Sequence, residues 1–294
     1  MDWNIILQHL GYFSAAISLL LLGRFVFQKS HRQIRIQSEL LDQDNLAFSF
    51  SYVGYFAGLV LAIGSSIIGD SNGFLRDITD LISYGMLSII LLNIGAWINE
   101  NLVLRSFSIR KEIIEDQNVG TGVIEGANYF ATGLIVFGAI SGEGINFFPD
   151  LINGYLLSGF ITAIAFWLSG QLILWVFALL YNWITSYDIH EEIEKDNVAV
   201  GVAYAGVIIA IGNLIRYGVS GDFESWESHF SELGIDVLLG GLLIPATRLA
   251  TDKILLHGAS LTDELVNQEK PNVGAGLIEA FAYIAGSIVV TWLI

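Results

Sequence analysis

Four times along this chain an acidic stretch ends in an asparagine, and roughly 22 mostly apolar, Gly/Ala-rich residues follow. The anchors are Asn45, Asn118, Asn197 and Asn272, spaced 73, 79 and 75 residues apart. Read from each anchor, the segments NLAFSFSYVGYFAGLVLAIGSSIIGD, NVGTGVIEGANYFATGLIVFGAISGE, NVAVGVAYAGVIIAIGNLIRYGVSGD and NVGAGLIEAFAYIAGSIVVTWLI align without a gap. A self-similar period of this size sets the unit from which a fold is assembled, so it constrains the chain before any local motif does.

Each unit holds two apolar runs long enough to cross a hydrocarbon layer of roughly 30 Å as helices. The runs fall at about 5–27, 46–68, 80–103, 119–140, 154–184, 198–219, 236–256 and 273–294. Only 14% of the residues are charged, against about 25% in soluble domains. A large soluble helical protein would need polar stripes along these runs, and they lack them. The expected class is therefore an all-α integral membrane protein with eight transmembrane helices, built from four two-helix repeats in parallel orientation. The fifth run is too long for one perpendicular span, so it is expected to tilt or to continue as an amphipathic helix.

Basic residues set the expected orientation. The linkers after spans one, three, five and seven contain Lys29, Arg32, Arg35, Arg105, Arg110, Lys111, Lys195, Lys253 and Lys270, whereas the opposite linkers contain only Arg76. The positive-inside rule then places the acidic-Asn linkers in the cytoplasm and both termini outside. The start, MDWNIILQHL, has no basic n-region, so no cleavable signal peptide is expected. A net charge of −16 without a basic patch argues against nucleic acid as a partner. Cysteine is absent, which removes thiolate chemistry and cysteine metal sites. The five His residues show no ligand spacing, and no phosphate-binding loop or nucleophile elbow occurs. No metal, cofactor or enzymatic activity is expected.

Before each anchor lies a second shared element, an aliphatic residue followed at the third position by Glu and then another aliphatic. It is seen at Ile36-Gln-Ser-Glu39-Leu40, Ile109-Arg-Lys-Glu112-Ile113, Ile189-His-Glu-Glu192-Ile193 and Leu261-Thr-Asp-Glu264-Leu265. Asp188 and Glu191 have capping-box spacing. This element is expected to be a brief surface helix with its acids on a solvated face.

Repeats one and three resemble each other, as do two and four. Seven residues past the anchor, repeats one and three carry Tyr52 and Tyr204, while repeats two and four carry Glu125 and Glu279, each followed four residues later by Tyr129 and Tyr283. The chain thus divides into two four-helix halves, 1–145 and 146–294. Because all repeats enter the membrane in the same direction, their symmetry axis is expected along the membrane normal, with the two glutamates paired on it. The segments VGxGVIEGANYF and VAVGVAYAGVIIAIG, each after an acidic-Asn turn, resemble an uncharacterised bacterial inner-membrane family typified by YjfL, a domain of unknown function. That resemblance covers nearly the whole chain as two tandem copies. It implies an inner-membrane location and supplies no catalytic residue.

Glu125 and Glu279 are the leading candidates for chemistry. They lie about 10 Å along the helix past the anchor, at a depth where a carboxyl is costly and must face protein or water. One reading makes them proton- or cation-binding sites of a transporter or channel. The other makes each a packing group bonded to its tyrosine, in a membrane scaffold or envelope-stress component that recruits partners at the acidic turns or forms homo-oligomers. Carboxyls facing a wet cavity favour the first, and a dry bundle favours the second. Arg248, three residues after Pro245, is the candidate counter-charge, with pairing to Asp252 as the local alternative. Asn93, Asn128, Gln171 and Asn213 are polar groups within spans that could line a pathway. On the opposite side, Gly69-Asp70, Gly142-Glu143 and Gly221-Asp222 end the first three even spans, an acidic field able to concentrate cations. Phe223, Trp226, Phe230 and Leu233 recur at helical spacing, as an interfacial helix would need.

Overall fold

The computed structural model describes residues 3–68, 71–102, 110–255 and 260–294. Gly69, Asp70, Arg105 and Ile109, singled out above, lie outside the described residues. In chain order the helices are α1 (Trp3–Ser30), α2 (Leu46–Gly64), α3 (Phe74–Leu102), α4 (Val119–Ile140), α5 (Gly154–Ile184), α6 (Ile189–Glu194), α7 (Val198–Gly218), α8 (Trp226–Leu255), α9 (Leu261–Val266) and α10 (Val273–Leu293). Two π-helical turns, Ser38–Asp42 and Lys111–Glu115, stand where α6 and α9 stand in the later repeats. Eight of the helices are long and apolar enough to span a membrane, and no strand occurs among the described residues. The chain is an all-α, multi-pass membrane protein made of four two-helix repeats.

The helices that follow the anchors pack side by side in chain order, as a row α2–α4–α7–α10. The other four cover the row: α1 lies on α3 and α2, α3 and α5 flank α4, and α8 lies on α10 and α7. The middle of the row is the core. Of the most apolar window of α4, 72% is buried, and of α7, 78%, against 6% for α1. Such burial explains the composition of the row, because close helix packing in lipid depends on small side chains. At each joint, the residue four past one anchor stacks on the residue two past the preceding anchor. A side chain at Gly122 would overlap the Ala47 backbone, one at Gly201 would overlap Gly120, and one at Gly276 would overlap Ala199.

The ends of the row break this pattern. Eight past the anchor, the last three repeats have Gly126, Ala205 and Ala280, but α2 has an exposed Val53. Nine past it, Gly54, Ala127 and Gly206 give way on α10 to an exposed Phe281. Both end faces are thus bulky and apolar, suited to lipid rather than to a further helix at the same spacing.

Two expectations are corrected. The segment carrying Phe223, Trp226, Phe230 and Leu233 does not form a separate interfacial helix. Most of it is the first part of α8, and it packs on α5, with Phe166 centred 5.9 Å from Trp226 and 5.5 Å from Phe230. Its aromatic face finds a protein partner, so it has no need of the bilayer surface. The acids before the anchors are likewise not on a simple solvated face. Glu39 and Glu112 are buried, because each bonds its anchor, as described next.

Candidate functional site: two copies of an intramembrane carboxyl

The anchors are structural joints. Each caps its helix, its Oδ1 accepting from Phe48 N, Thr121 N, Val200 N and Ala275 N at 2.9–3.2 Å. Each Nδ2 donates to the acid of its own repeat, Glu39, Glu112, Glu192 and Glu264, at 2.9–3.2 Å. In the first three repeats Nδ2 also donates to a carbonyl of the next one: Asn45 to Ile113, Asn118 to Ile193 and Asn197 to Leu265, at 2.7–2.9 Å. Asn272 shows no such bond to another repeat among the described residues and is exposed. The residue before each of the first three anchors is left-handed, at Asp44, Gln117 and Asp196. Before Asn272 stands Pro271, which cannot adopt that turn, and the loop from Glu264 is longer, 8 positions against 6 from Glu112 to Asn118. Burial raises the Asp196 carboxyl above its ordinary range, partly offset by the amides of Val119 and Gly120 that it accepts.

These joints place Glu125 and Glu279 one helical segment deeper. In the first half, Glu125 faces a cavity of about 650 Å³ between α1, α2, α3 and α4. The mouth is at the anchor end, where Lys29, His31, Arg32 and Arg110 line it. Ser51 of α2 is the hydroxyl neighbour of the Glu125 carboxyl, and Asn93, Ala96, Trp97 and Glu100 of α3 form the facing wall. The deep end is closed by aromatic packing. Tyr55, fully buried, donates to Gly23 O at 2.9 Å and accepts from Asn93 Nδ2 at 3.3 Å. Its ring meets Phe27 and Tyr129 at 4.8 and 5.2 Å between centroids. Tyr52 packs between Phe27, Phe48 and Phe56 beside this floor.

In the second half the same position is sealed. Glu279 is 0% exposed, and Arg248 Nε meets its Oε1 at 2.6 Å. Tyr283 Oη donates to the same oxygen at 3.3 Å. Arg248 does not pair with Asp252, which instead accepts from Leu261 N at 3.1 Å. Pro245, which leaves a carbonyl free one turn back in α8, lines the adjoining cavity of about 390 Å³ with Arg248, Tyr181 and Tyr187. Tyr181 stacks on Tyr204 at 5.6 Å. Burial, and then the Glu279 charge, hold the Tyr187 hydroxyl above its ordinary range.

The two glutamates are not brought together on a shared axis. The row puts α7 between α4 and α10, so each carboxyl serves its own half. Of the amides within spans, only Asn93 lines the Glu125 cavity. Asn213 bridges Ser287 and Arg216, Asn128 is buried in α4, and Gln171 is buried in α5 with neither polar atom bonded. On the opposite side, Asp222 accepts from Glu143 N at 2.7 Å and Glu143 O accepts from Phe223 N at 2.8 Å. Part of that acidic field therefore ties the ends of α4 and α7 together. Sequence reasoning missed Ser51, Ala96 and Glu100. Aligning the covering helices as well as the row helices could have found the last two, since Ala96 and Glu100 then fall in the columns of Arg248 and Asp252.

Comparison with known proteins finds two tandem copies of one family. The family described as Domain of Unknown Function (DUF350) matches residues 1–140 and again residues 155–294. This chain belongs to the DUF350 family. The resemblance expected from the motif segments holds at family level, and nothing in the match singles out YjfL. A similar protein is the UPF0719 transmembrane protein of Aquifex aeolicus (strain VF5), 23% identical over 281 residues that cover 94% of this chain and 97% of the relative. No solved structure matches the chain significantly. As a membrane-embedded DUF350 protein it contacts the lipid bilayer through the outward faces of its eight spanning helices.

Proposed function

We propose that the first half is the working part of a proton- or cation-linked transporter or channel of a bacterial inner membrane, with Glu125 as its titratable, cation-binding carboxyl. The anchor end faces the cytoplasm and both termini are outside, as the distribution of Lys and Arg supports. One observation carries the reading. Glu125 lines an open cavity, whereas its copy Glu279 is fully buried and neutralised by Arg248. An intramembrane carboxyl left facing a cavity is expensive to keep unless it is used. The Tyr55 floor acts as the inner side of a gate, and passage requires the Tyr55–Gly23 contact to open.

A second reading is favoured by the other half. Its carboxyl is bonded to Arg248 and Tyr283 within packed helices, as a non-transporting scaffold would have it. The two readings separate in reconstituted vesicles. Glu125→Gln keeps shape and hydrogen bonding but removes the titratable proton, so it abolishes pH- or cation-driven flux in a protein that still inserts and elutes normally. Wild-type vesicles without flux for protons or common cations leave the scaffold reading standing, whereas flux that survives the Gln change makes the Glu125 carboxyl a packing group and removes it from the transport path.

A further inference from the structure

The two cavities are copies of one another, and they differ where a ligand would sit. Along α3 and α8, residues 152 positions apart correspond, as Glu112 and Glu264 do. Asn93, Ala96, Trp97 and Arg110 then match Pro245, Arg248, Leu249 and Thr262, and every one of these lines the cavity of its own half. In the second half the Arg248 guanidinium lies against Glu279, with Nη2 3.5 Å from Thr262 Oγ1. In the first half the column of Arg248 is Ala96, and the space beside Glu125 is open.

We infer that the first cavity takes a small organic zwitterion, its guanidinium or primary ammonium against Glu125 and its anionic end toward the bases at the mouth. The inference rests on the proposed role of Glu125. Arg248 is the internal stand-in for the cationic head: the second half carries on its own chain what the first receives from outside. Inorganic divalent cations fit poorly, since they need about six or more oxygen ligands and Glu125 has Ser51 as its hydroxyl neighbour. A planar or tetrahedral N–H donor needs fewer partners, and aromatic rings such as Tyr129, Phe27 and Trp97 suit a cation on an apolar stem. Among the described residues, the groups facing the cavity with charge are Glu125 and Glu100 on the acidic side and Lys29, Arg32 and Arg110, with His31, on the basic side. That rim repels a bare cation and attracts an anionic end, so a molecule bearing both charges satisfies both regions. A free solute and a zwitterionic lipid headgroup share this chemistry.

The test is binding of 4-guanidinobutyrate to the purified full-length protein in nanodiscs, against butylguanidine and butyrate, each of which lacks one charge. The expected result is binding of the zwitterion about tenfold or more tighter than either. Glu125→Gln weakens it by a similar factor, and Ala96→Arg, which supplies an internal guanidinium, abolishes it. Thermal midpoints establish that both variants are folded, and the shape-preserving Gln variant decides the matter if Ala96→Arg is not. Equal binding of butyrate, or zwitterion binding untouched by Glu125→Gln, overturns the inference. In phosphatidylethanolamine discs, displacement of the probe relative to phosphatidylglycerol discs assigns the site to a headgroup, and unchanged binding assigns it to a free solute. Glu125-dependent proton or cation flux without zwitterion binding sinks this inference alone. Zwitterion binding without any flux sinks the transport reading alone.

Discussion

Replacing Asn118 by Ala removes three hydrogen bonds from one buried side chain. Asn118 is 2% exposed, caps Thr121 N at 2.9 Å, and donates to Glu112 Oε2 at 3.2 Å and Ile193 O at 2.7 Å. Loss of an N-cap costs about 1 kcal/mol. Leaving the buried Glu112 carboxyl and the Ile193 carbonyl without their donor costs about 1–3 kcal/mol each. Allowing for coupling within one network, the total is about 3–5 kcal/mol. Asn272→Ala removes the cap on Ala275 N and the bond to Glu264 but no bond to a following repeat, and the site is exposed, so about 1–2 kcal/mol is expected. The assay is reversible unfolding by SDS in mixed micelles, followed by circular dichroism. Asn118→Asp sharpens it, since Oδ1 still caps while the donor becomes a second carboxylate beside Glu112. That variant is destabilised at neutral pH. It regains stability as pH falls, because the folded form then holds a proton shared by the two acids that the unfolded chain holds less tightly. Equal costs at Asn118 and Asn272, or an Asn118→Asp variant indifferent to pH, would refute the reasoning.

Other expectations are open to the same kind of measurement. Arg248→Gln leaves the fully buried Glu279 unpaired and should destabilise by about 3–5 kcal/mol, while Arg248→Met with Glu279→Leu should recover most of the loss in the same SDS titration. Gly126→Ala pushes a methyl against the Phe50 backbone, whose carbonyl oxygen stands 2.5 Å from the added carbon, so about 1–3 kcal/mol is lost. Gly234→Ala, which meets open space in α8, should be neutral or gain up to about 1 kcal/mol of helix propensity. A single cysteine at Lys111, in a chain with no native cysteine, should resist a membrane-impermeant maleimide in intact cells, and labelling there without permeabilisation would reject the proposed orientation.

Much of the architecture was legible because hydrophobic length is written residue by residue. The eight runs became the eight spanning helices, α3 and α8 starting well before their apolar stretches because Phe74 and Trp226 begin continuous helices. The anchors' role as caps was within reach of the sequence, since Asn before an apolar run is a cap signal. Their second role was not. Asn118 Nδ2 bonds the backbone carbonyl of Ile193, and a carbonyl has no side-chain signature. The buried state of Glu112 follows from that joint and was equally hidden. Tyr283 beside Glu279 could be read from helical spacing, and Arg248 stood out as a counter-charge, but the choice of Glu279 over Asp252 joins α8 to α10 across 31 positions and needed the packing of both. The cavity at Glu125 depends on what is missing, a long side chain at Ala96, and absence shows only when one half is laid over the other.

The joint between the two DUF350 copies is built like the joint inside each. Asn118 reaches Ile193 across the copy boundary as Asn45 reaches Ile113 within the first copy, and Gly201 seats on Gly120 as Gly122 seats on Ala47. The halves are therefore not two lobes with a seam but one lamina with a uniform grain. Cut at residue 145, the lamina would expose an unspent asparagine on one piece and an unspent carbonyl on the other. Those edges are complementary, so two short polypeptides could knit noncovalently where this one is continuous. Covalent continuity fixes the local concentration of one edge about the other and frees assembly from dependence on abundance. The valine and phenylalanine on the outermost faces then act as selvedges, ending the weave at four.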